Sequence, residues 1–299
     1  SSDFSRGKLL MPLVFAAALG GNLSIIGAPG NLIGTNALNE LGIETGFFEY
    51  IGVGLPMLVF GILYFAVFGY KLLPDNKDLV SADDDQFAAK DFSGVPVWKQ
   101  TASLVILILS ILAMIFEKQI GVKLHVSASV GAIILILTGV ISEKEALRSI
   151  DLKTVFLFGG SLALASALET TGAGTLVANA IIHALGDTPS PFLLLLVIWI
   201  ITCALTNFMS NTATTALMVP IAVALAQGVG ADPRAVVVAT VIAGSCAYAT
   251  PIGMPANTMV VGIGGYSFRD YVKVGLPLIG VSFVICMVLL PILFPFFPG

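Results

Sequence analysis

The chain has 299 residues, of which 57% are apolar and only 11% are charged, and its mean hydropathy is +0.99. Soluble domains carry about 25% charged residues because their surfaces face water, so these values exclude a soluble globular protein. The formal net charge of −4, without a basic tract, argues against nucleic acid as a partner. We therefore predict an all-α polytopic membrane protein that is surrounded by the lipid bilayer.

Apolar stretches that could cross a bilayer, which takes about 20 residues, follow one another along the chain. Two of these spans contain interruptions, Lys8–Gly42 at Gly27–Asn31 and Arg234–Gly262 at Thr250–Asn257. The remaining elements are predicted as plain spans at Phe48–Tyr70, Val97–Phe116, His125–Ile141, Thr154–Glu169 and Tyr271–Phe297, an interfacial helix at Gly172–Leu185, and two apolar arms within Pro191–Gln227.

The segment Pro191–Gln227 holds the polar residues Asn207–Thr212 between its arms, and we predict that it enters and leaves the membrane on one side. With this re-entrant hairpin, 11 of the 14 Lys and Arg residues lie on the same side of the membrane. Positive residues concentrate in cytoplasmic loops, so the linker at residues 71–99 is predicted to be cytoplasmic. We interpret its acidic stretch Asp83–Asp85 as part of a solvated connection between two structural units.

Two segments match without gaps at an offset of 226 residues, Ala17–Asn31 and Ala243–Asn257, and each ends in Gly-x-Pro-x-Asn. Proline lacks an N–H group and clashes with the preceding helical turn, and the carbonyl groups that it frees need polar partners inside a membrane. The two copies have opposite predicted directions. They indicate an inverted repeat of broken helices, which is typical of secondary transporters. The same offset predicts a partner of Ser210–Thr212 upstream of Ser1.

Hydroxyls, amides and freed carbonyls are the polar groups of the apolar blocks, since no Asp, Glu or Lys lies in the middle of any block. This pattern argues against an enzyme, because no catalytic constellation occurs, and against a proton relay. Neutral oxygens suit a hard cation such as Na⁺, whereas the N–H groups at a helix N-terminus attract an anion. The candidate residues are Ser24, Thr206, Asn207, Ser210, Asn211, Thr212, Thr214, Thr215, Thr250 and Asn257.

These motifs resemble those of the divalent anion/sodium symporter family, within the ion transporter superfamily. Ser210–Thr214 is similar to the second Ser-Asn-Thr signature of that family, Gly244–Val260 resembles its C-terminal signature, and Gly20–Asn31 resembles the matching stretch of its first repeat. Tyr248 stands where Phe is usual, and Gly30 stands where a second Pro is usual. The resemblance covers essentially the whole chain, as the C-terminal two-thirds of such a carrier.

The resemblance implies a homodimeric, multi-pass carrier of an inner or plasma membrane. Such a carrier performs sodium-coupled symport of a di- or tricarboxylate, or of another divalent anion, by an elevator-type mechanism. The implied organisation is an end of the first repeat with its broken helix at 1–47, scaffold helices at 48–153, an arm and interfacial helix at 154–189, the second hairpin and broken helix at 190–265, and a last transmembrane helix at 266–299.

The resemblance also implies roles for individual residues. Sodium ligands would be Thr206, Ser210, Asn211 and the carbonyl of Ala249 at one site, and the Leu23 carbonyl together with the predicted upstream hairpin at a second site. Substrate contacts would be Ser24, Asn211, Thr212, Thr250 and Pro251. The open alternatives are an anion exchanger, a related carrier of sulfate, arsenite or Na⁺/H⁺, and a channel.

Overall fold

The structure, a computed structural model, describes residues 6–74, 94–150, 170–186 and 189–297, together with isolated positions between 151 and 169. The described residues form helices and no strand, which confirms the all-α prediction. The acidic stretch Asp83–Asp85 and most of the predicted span Thr154–Glu169 lie outside them. The helices are α1 (Arg6–Gly20), α2 (Pro29–Glu40), α3 (Ile51–Tyr64), α4 (Val97–Ile115), α5 (Leu124–Leu137), α6 (Glu143–Arg148), α7 (Ala173–Ala184), α8 (Pro191–Thr206), α9 (Asn211–Gly228), α10 (Pro233–Ser245), α11 (Pro255–Gly264) and α12 (Phe268–Leu293).

The described apolar helices fall into two groups, helices long enough to cross a bilayer and the shorter halves of the two broken helices. Within the described residues, α4, α12 and the continuous stretch Ile51–Leu72, which extends α3 through a π-helical turn, are long and apolar enough to cross a bilayer. The broken helices are shorter, because α1 and α2 share one predicted span and α10 and α11 share the other. Together with the apolar composition, these spans confirm a polytopic membrane protein.

Both interrupted spans are broken, but several residues before the predicted positions. The first break follows a 3₁₀ turn at Gly21–Leu23 and ends where α2 begins at Pro29, and the second runs from the end of α10 to Pro255. The predicted interruptions at Gly27–Asn31 and Thr250–Asn257 are therefore wrong in their bounds. The physical reason is that proline at the first helical position lacks only an N–H group that has no intrahelical acceptor.

The two broken helices pack crosswise. Helix α1 contacts α11, and α2 contacts α10, so that the first half of each broken helix lies against the second half of the other. Helix α3 contacts α1 in the same way as α12 contacts α10, and α3 and α12 contact each other. Exchanging the two repeats therefore maps α1–α11 onto α2–α10 and α1–α3 onto α10–α12, and leaves the α3–α12 contact unchanged, as the predicted inverted repeat requires.

Contacts divide the chain into two units, Ser1–Ser81 with Leu157–Gly299, and Ala82–Phe156. The first unit contains both broken helices, the hairpin α8–α9, and α3, which packs against α1 and α12. In the second unit α4 packs against α5, and α6 begins at a capping box. There, hydrogen bonds from Ser142 hold the pKa of the Glu145 carboxyl below its usual range. The assignment of residues 48–153 to a scaffold stays a prediction.

The hairpin is formed by α8 and α9, which contact each other and are joined by the four residues Asn207–Ser210. One face of α9 is covered by α7, which buries Gly174, Ala178 and Ile182 at helical spacing. The amphipathic character predicted for Gly172–Leu185 thus corresponds to a face that packs on the hairpin. Its location at the membrane interface stays a prediction.

Candidate functional site

Each break is closed by an asparagine in the first turn of the following helix. The side-chain Nδ2 donates to two carbonyl oxygens of the non-helical segment, so the freed acceptors are satisfied inside the protein. The bonds are Asn31 Nδ2 to Gly21 O (2.8 Å) and Ser24 O (2.7 Å), and Asn257 Nδ2 to Ala247 O (2.8 Å) and Thr250 O (2.8 Å). All six residues obey the offset of 226, so the sequence repeat is also a repeat of hydrogen bonds.

The hairpin connection inserts Asn207 into the second break. Its Oδ1 accepts from the N–H of Ala249 at 3.0 Å, and its Nδ2 donates to the Cys246 carbonyl at 3.3 Å. The hydroxyl of Thr250 donates to the Asn207 carbonyl and accepts from the N–H of Gly253 at 3.1 Å. Because both the amide and the carbonyl of Asn207 are used, the hairpin and the second break form one hydrogen-bonded assembly.

Neutral oxygens converge where α8 ends and α9 begins. The hydroxyl of Thr206 is buried and donates to the Gly244 carbonyl at 2.5 Å. The Asn211 amide satisfies its neighbours with Nδ2 donating to the carbonyls of Gly244 and Gly253, both at 3.2 Å, and to Thr206 Oγ1 at 2.9 Å. One side-chain position is thus surrounded by three oxygen atoms, which we call the oxygen cluster: Thr206 Oγ1, Gly244 O and Gly253 O.

The start of α9 is held by its own cap and by a neighbouring threonine. Ser210 accepts from the N–H of Ala213 at 3.3 Å, which confirms it as the N-cap of the second arm. Thr215 donates to the Asn211 carbonyl at 2.8 Å. Its side chain fits between two glycines, since a Cβ at Gly30 would approach Thr215 Oγ1 to 3.0 Å and one at Gly244 to 2.4 Å. Residues of both repeats therefore meet beside the hairpin tip.

Some of the predicted site residues lie together in the structure, and others make hydrogen bonds elsewhere. Thr206 and Asn211 share the oxygen cluster, whereas the Ser210 side chain is exposed and acts as a cap. The N–H of Ala249 is bound by Asn207, and the Pro251 carbonyl accepts from Thr258 at 2.9 Å.

In the first repeat, Leu23 closes the 3₁₀ turn and Ser24 follows it in an extended conformation. Thr212 lies half-buried in the first turn of α9, next to the exposed cap Ser210. The roles of these residues toward substrate and sodium stay predictions.

Sequence reasoning missed the carbonyls of Gly244 and Gly253 and the bridging part of Asn207. The residue type glycine was the available sequence signal at both positions, and in the structure each glycine lies where a side chain has no room. A Cβ at Gly253 would come within 2.9 Å of the Thr206 carbonyl. Glycine beside a predicted break therefore indicated a close backbone approach, although the partner could not be named.

The family model for citrate transporters matches residues 1–243 of the chain. The chain belongs to this family. Its members are membrane transporters rather than enzymes, and the match confirms the predicted resemblance to anion carriers and the predicted multi-pass membrane location.

Among similar proteins is an uncharacterized transporter of Escherichia coli, 36% identical over 156 residues, which cover 52% of this chain and 25% of the relative. An uncharacterized transporter of Methanocaldococcus jannaschii is 30% identical over 276 residues, or 91% of this chain and 60% of the relative. The sodium-dependent dicarboxylate transporter SdcS of Staphylococcus saprophyticus is 24% identical over 96% of this chain and 59% of its own length. The chain thus spans no more than 60% of these relatives.

Proposed function

We propose that the protein carrying this chain is a secondary active transporter that couples sodium entry to uptake of a di- or tricarboxylate. The oxygen cluster is the observation that carries this proposal. If the Asn211 amide turns by half a rotation, its Oδ1 faces three other oxygens, and a cation between them removes the repulsion. Neutral oxygen ligands of this kind suit a monovalent hard cation. The sodium-dependent dicarboxylate relative supports the same ion.

The anion is proposed to bind at the N-terminus of α9, next to the cation. The first N–H groups of a helix lack intrahelical acceptors and attract negative charge, and Thr212 lies in that first turn. Donor groups of Ser24, Asn211 and Thr250 complete the proposed substrate contacts, and Pro251, whose carbonyl accepts from Thr258, is proposed to border the substrate through its ring. A sodium ion held by Thr206 and Asn211 lowers the free energy of a neighbouring carboxylate, which gives a direct electrostatic reason for coupling.

The proposed transport cycle moves the hairpin and both broken helices together, as in an elevator, within a homodimer. The shared contacts of α2 with α9 and α10 support movement of these elements as one body. The second sodium site is proposed at the Leu23 carbonyl in the first repeat. An anion exchanger without sodium coupling is the main alternative outcome of the test below.

The test is uptake of radiolabelled succinate and citrate into proteoliposomes that contain the full-length protein. Replacing external sodium by choline is expected to lower the initial rate at least about tenfold, because the coupling cation is then missing. A tenfold change corresponds to about 1.4 kcal/mol of lost cation binding. Uptake that is unchanged in choline but requires internal anion would indicate exchange. Conductance far above the turnover of a carrier would indicate a channel.

A matched pair of threonines tests the oxygen cluster itself. Thr206→Val removes the clustered hydroxyl and is expected to raise the sodium concentration for half-maximal uptake about tenfold. Thr202→Val is the control, since Thr202 is equally buried one turn earlier in α8 and its hydroxyl donates to Ile198 O of the same helix at 2.7 Å. Thr206→Ser keeps a hydroxyl and should restore most of the affinity. Equal effects of both valine variants would contradict the assignment.

A further inference from the structure

The helices that follow the two broken helices carry a second repeat at a different offset. Tyr50–Pro56 at the start of α3 and Tyr271–Pro277 near the start of α12 share five of seven residues, in the pattern Tyr-x-x-Val-Gly-Leu-Pro. The offset between them is 221, five less than the offset of the breaks. The segment from the closing asparagine to the tyrosine is therefore five residues longer in the first repeat, Asn31 to Tyr50, than in the second, Asn257 to Tyr271.

The tyrosine of each motif reaches back to the break of its own repeat. The hydroxyl of Tyr50 donates to the Asn31 carbonyl at 2.8 Å, and that of Tyr271 donates to the Asn257 carbonyl at 2.9 Å. Both tyrosines are buried, at 1% and 0% exposure. A phenol hydroxyl buried at this depth needs a partner, and in both repeats the partner is the residue whose side chain closes the break.

The glycine of each motif touches the other end of the break. A Cβ at Gly54 would lie 1.9 Å from the Asn22 carbonyl oxygen, and one at Gly275 would lie 2.0 Å from the Tyr248 carbonyl oxygen. Asn22 and Tyr248 are themselves related by the offset of 226. Each helix therefore presses its backbone against the beginning of a break and holds the end of the break through a hydroxyl.

We infer that Tyr50 and Tyr271 are positioning residues for the two ion-binding loops, an inference that rests on the proposed sodium coupling. Each hydroxyl fixes the backbone of an asparagine, and that asparagine fixes the two carbonyls that border the loop. For the second repeat these carbonyls belong to Ala247 and Thr250, on either side of the proposed ligand Ala249. Loss of the hydroxyl leaves the sodium ligands in place but lets their spacing vary, which weakens ion binding.

The test measures sodium binding without transport. The full-length protein in detergent is heated in increasing NaCl, with choline chloride keeping the ionic strength constant, because a bound ion stabilises the folded state. Tyr50→Phe and Tyr271→Phe are each expected to raise the sodium concentration for half-maximal stabilisation at least fivefold. Tyr64→Phe is the control for loss of a buried phenol hydroxyl, since Tyr64 is also buried in α3 but donates to Val274 O of α12 at 2.8 Å and not to a closing asparagine.

The outcomes separate this inference from the proposed function. Wild-type protein that sodium does not stabilise would remove the proposed coupling and the inference together. A wild-type response with unchanged midpoints in both tyrosine variants would overturn the inference alone. The control is expected to lower the melting temperature while keeping the sodium midpoint, so an equal midpoint shift in Tyr64→Phe would also overturn it. If neither tyrosine variant folds, the two hydroxyls serve stability and the inference is wrong.

Discussion

Among the described residues, the two broken helices have different hydrogen-bonding neighbours. The second bonds to the hairpin α8–α9, whereas the first bonds to the connection before α3, where the N–H of Ile25 donates to the Phe47 carbonyl at 3.0 Å. In the second break, Asn207 of the hairpin binds the N–H of Ala249, and Thr250 is buried with its hydroxyl bonded to the hairpin. In the first break, Ser24 is half-exposed, and the buried amide of Asn22 has no hydrogen-bond partner among the described residues. Both breaks nevertheless have the same closing asparagine and the same tyrosine contact.

The comparison separates two tasks. The bonds that both copies share hold the polypeptide in a non-helical shape, so they concern the stability of each break. The bonds that only the second copy makes among the described residues join this break to the hairpin tip, where the oxygen cluster lies, so they concern the proposed site. Substitutions in shared residues should affect the two copies alike, whereas substitution of Asn207 should affect the second break more than the first.

The largest effect is expected from the shared glycines. Gly54→Ala and Gly275→Ala place a Cβ within about 2 Å of a backbone carbonyl, and backbone cannot move aside as a side chain can. Each variant should lose about 3 kcal/mol of stability or more, at the upper end of overpacking effects. Gly280→Ala in α12 is the control, because no described atom outside its chain neighbours and its own helix backbone lies within 4 Å of its Cβ position. Thermal unfolding measures all three, and a silent Gly54→Ala would show that the first break is loosely held.

A smaller effect is expected from the residue that distinguishes the copies. Asn207→Ala removes the bonds to Ala249 and Cys246 and leaves buried groups unpaired, so the stability loss should be about 2 kcal/mol. Asn179→Ala, at an exposed position of α7, should change stability by less than about 0.5 kcal/mol. The discriminating measurement is hydrogen exchange: faster exchange is expected around residues 246–254 and unchanged exchange around 21–28. Equal acceleration of both breaks would contradict the separation of tasks.

The smallest effect concerns an ion pair between the repeats. At the start of α10, Arg234 Nε lies 3.4 Å from Glu49 Oε1, and Arg234 Nη2 donates to the Glu44 carbonyl oxygen at 2.9 Å. The Arg234 side chain is 31% exposed, so Arg234→Gln should destabilise by about 0.5 kcal/mol, and less at high salt. Arg269→Gln, at an exposed position of α12, serves as the control. A salt-independent loss above about 2 kcal/mol would show that this contact is a main link between the copies.

Much of the fold could be predicted from local sequence, because apolar length and Gly-x-Pro-x-Asn are local signals. The breaks were misplaced by several residues, since proline marks the beginning of a helix as well as the end of one. The cap role of Ser210 was also predictable, because a cap depends on residues within one turn.

The oxygen cluster could not be predicted in full from the sequence. Thr206 and Gly244 are 38 residues apart, and only the packing of α8 against α10 brings them together. The repeated motif at Tyr50 and Tyr271 was present in the sequence. Its offset of 221 differs by five from the offset of the breaks, so a gapless alignment of the breaks does not align it.

The unequal connections between the paired helices have an energetic consequence. In a carrier built from two identical inverted halves, the two conformations that expose opposite membrane faces would have the same free energy and equal populations at rest. Here the segment between Asn31 and Tyr50 is five residues longer than its counterpart in the second repeat, and it supplies the Glu44 and Glu49 contacts to Arg234. For the proposed transport cycle, this asymmetry predicts unequal resting populations of the two conformations, and shortening the segment should change their ratio.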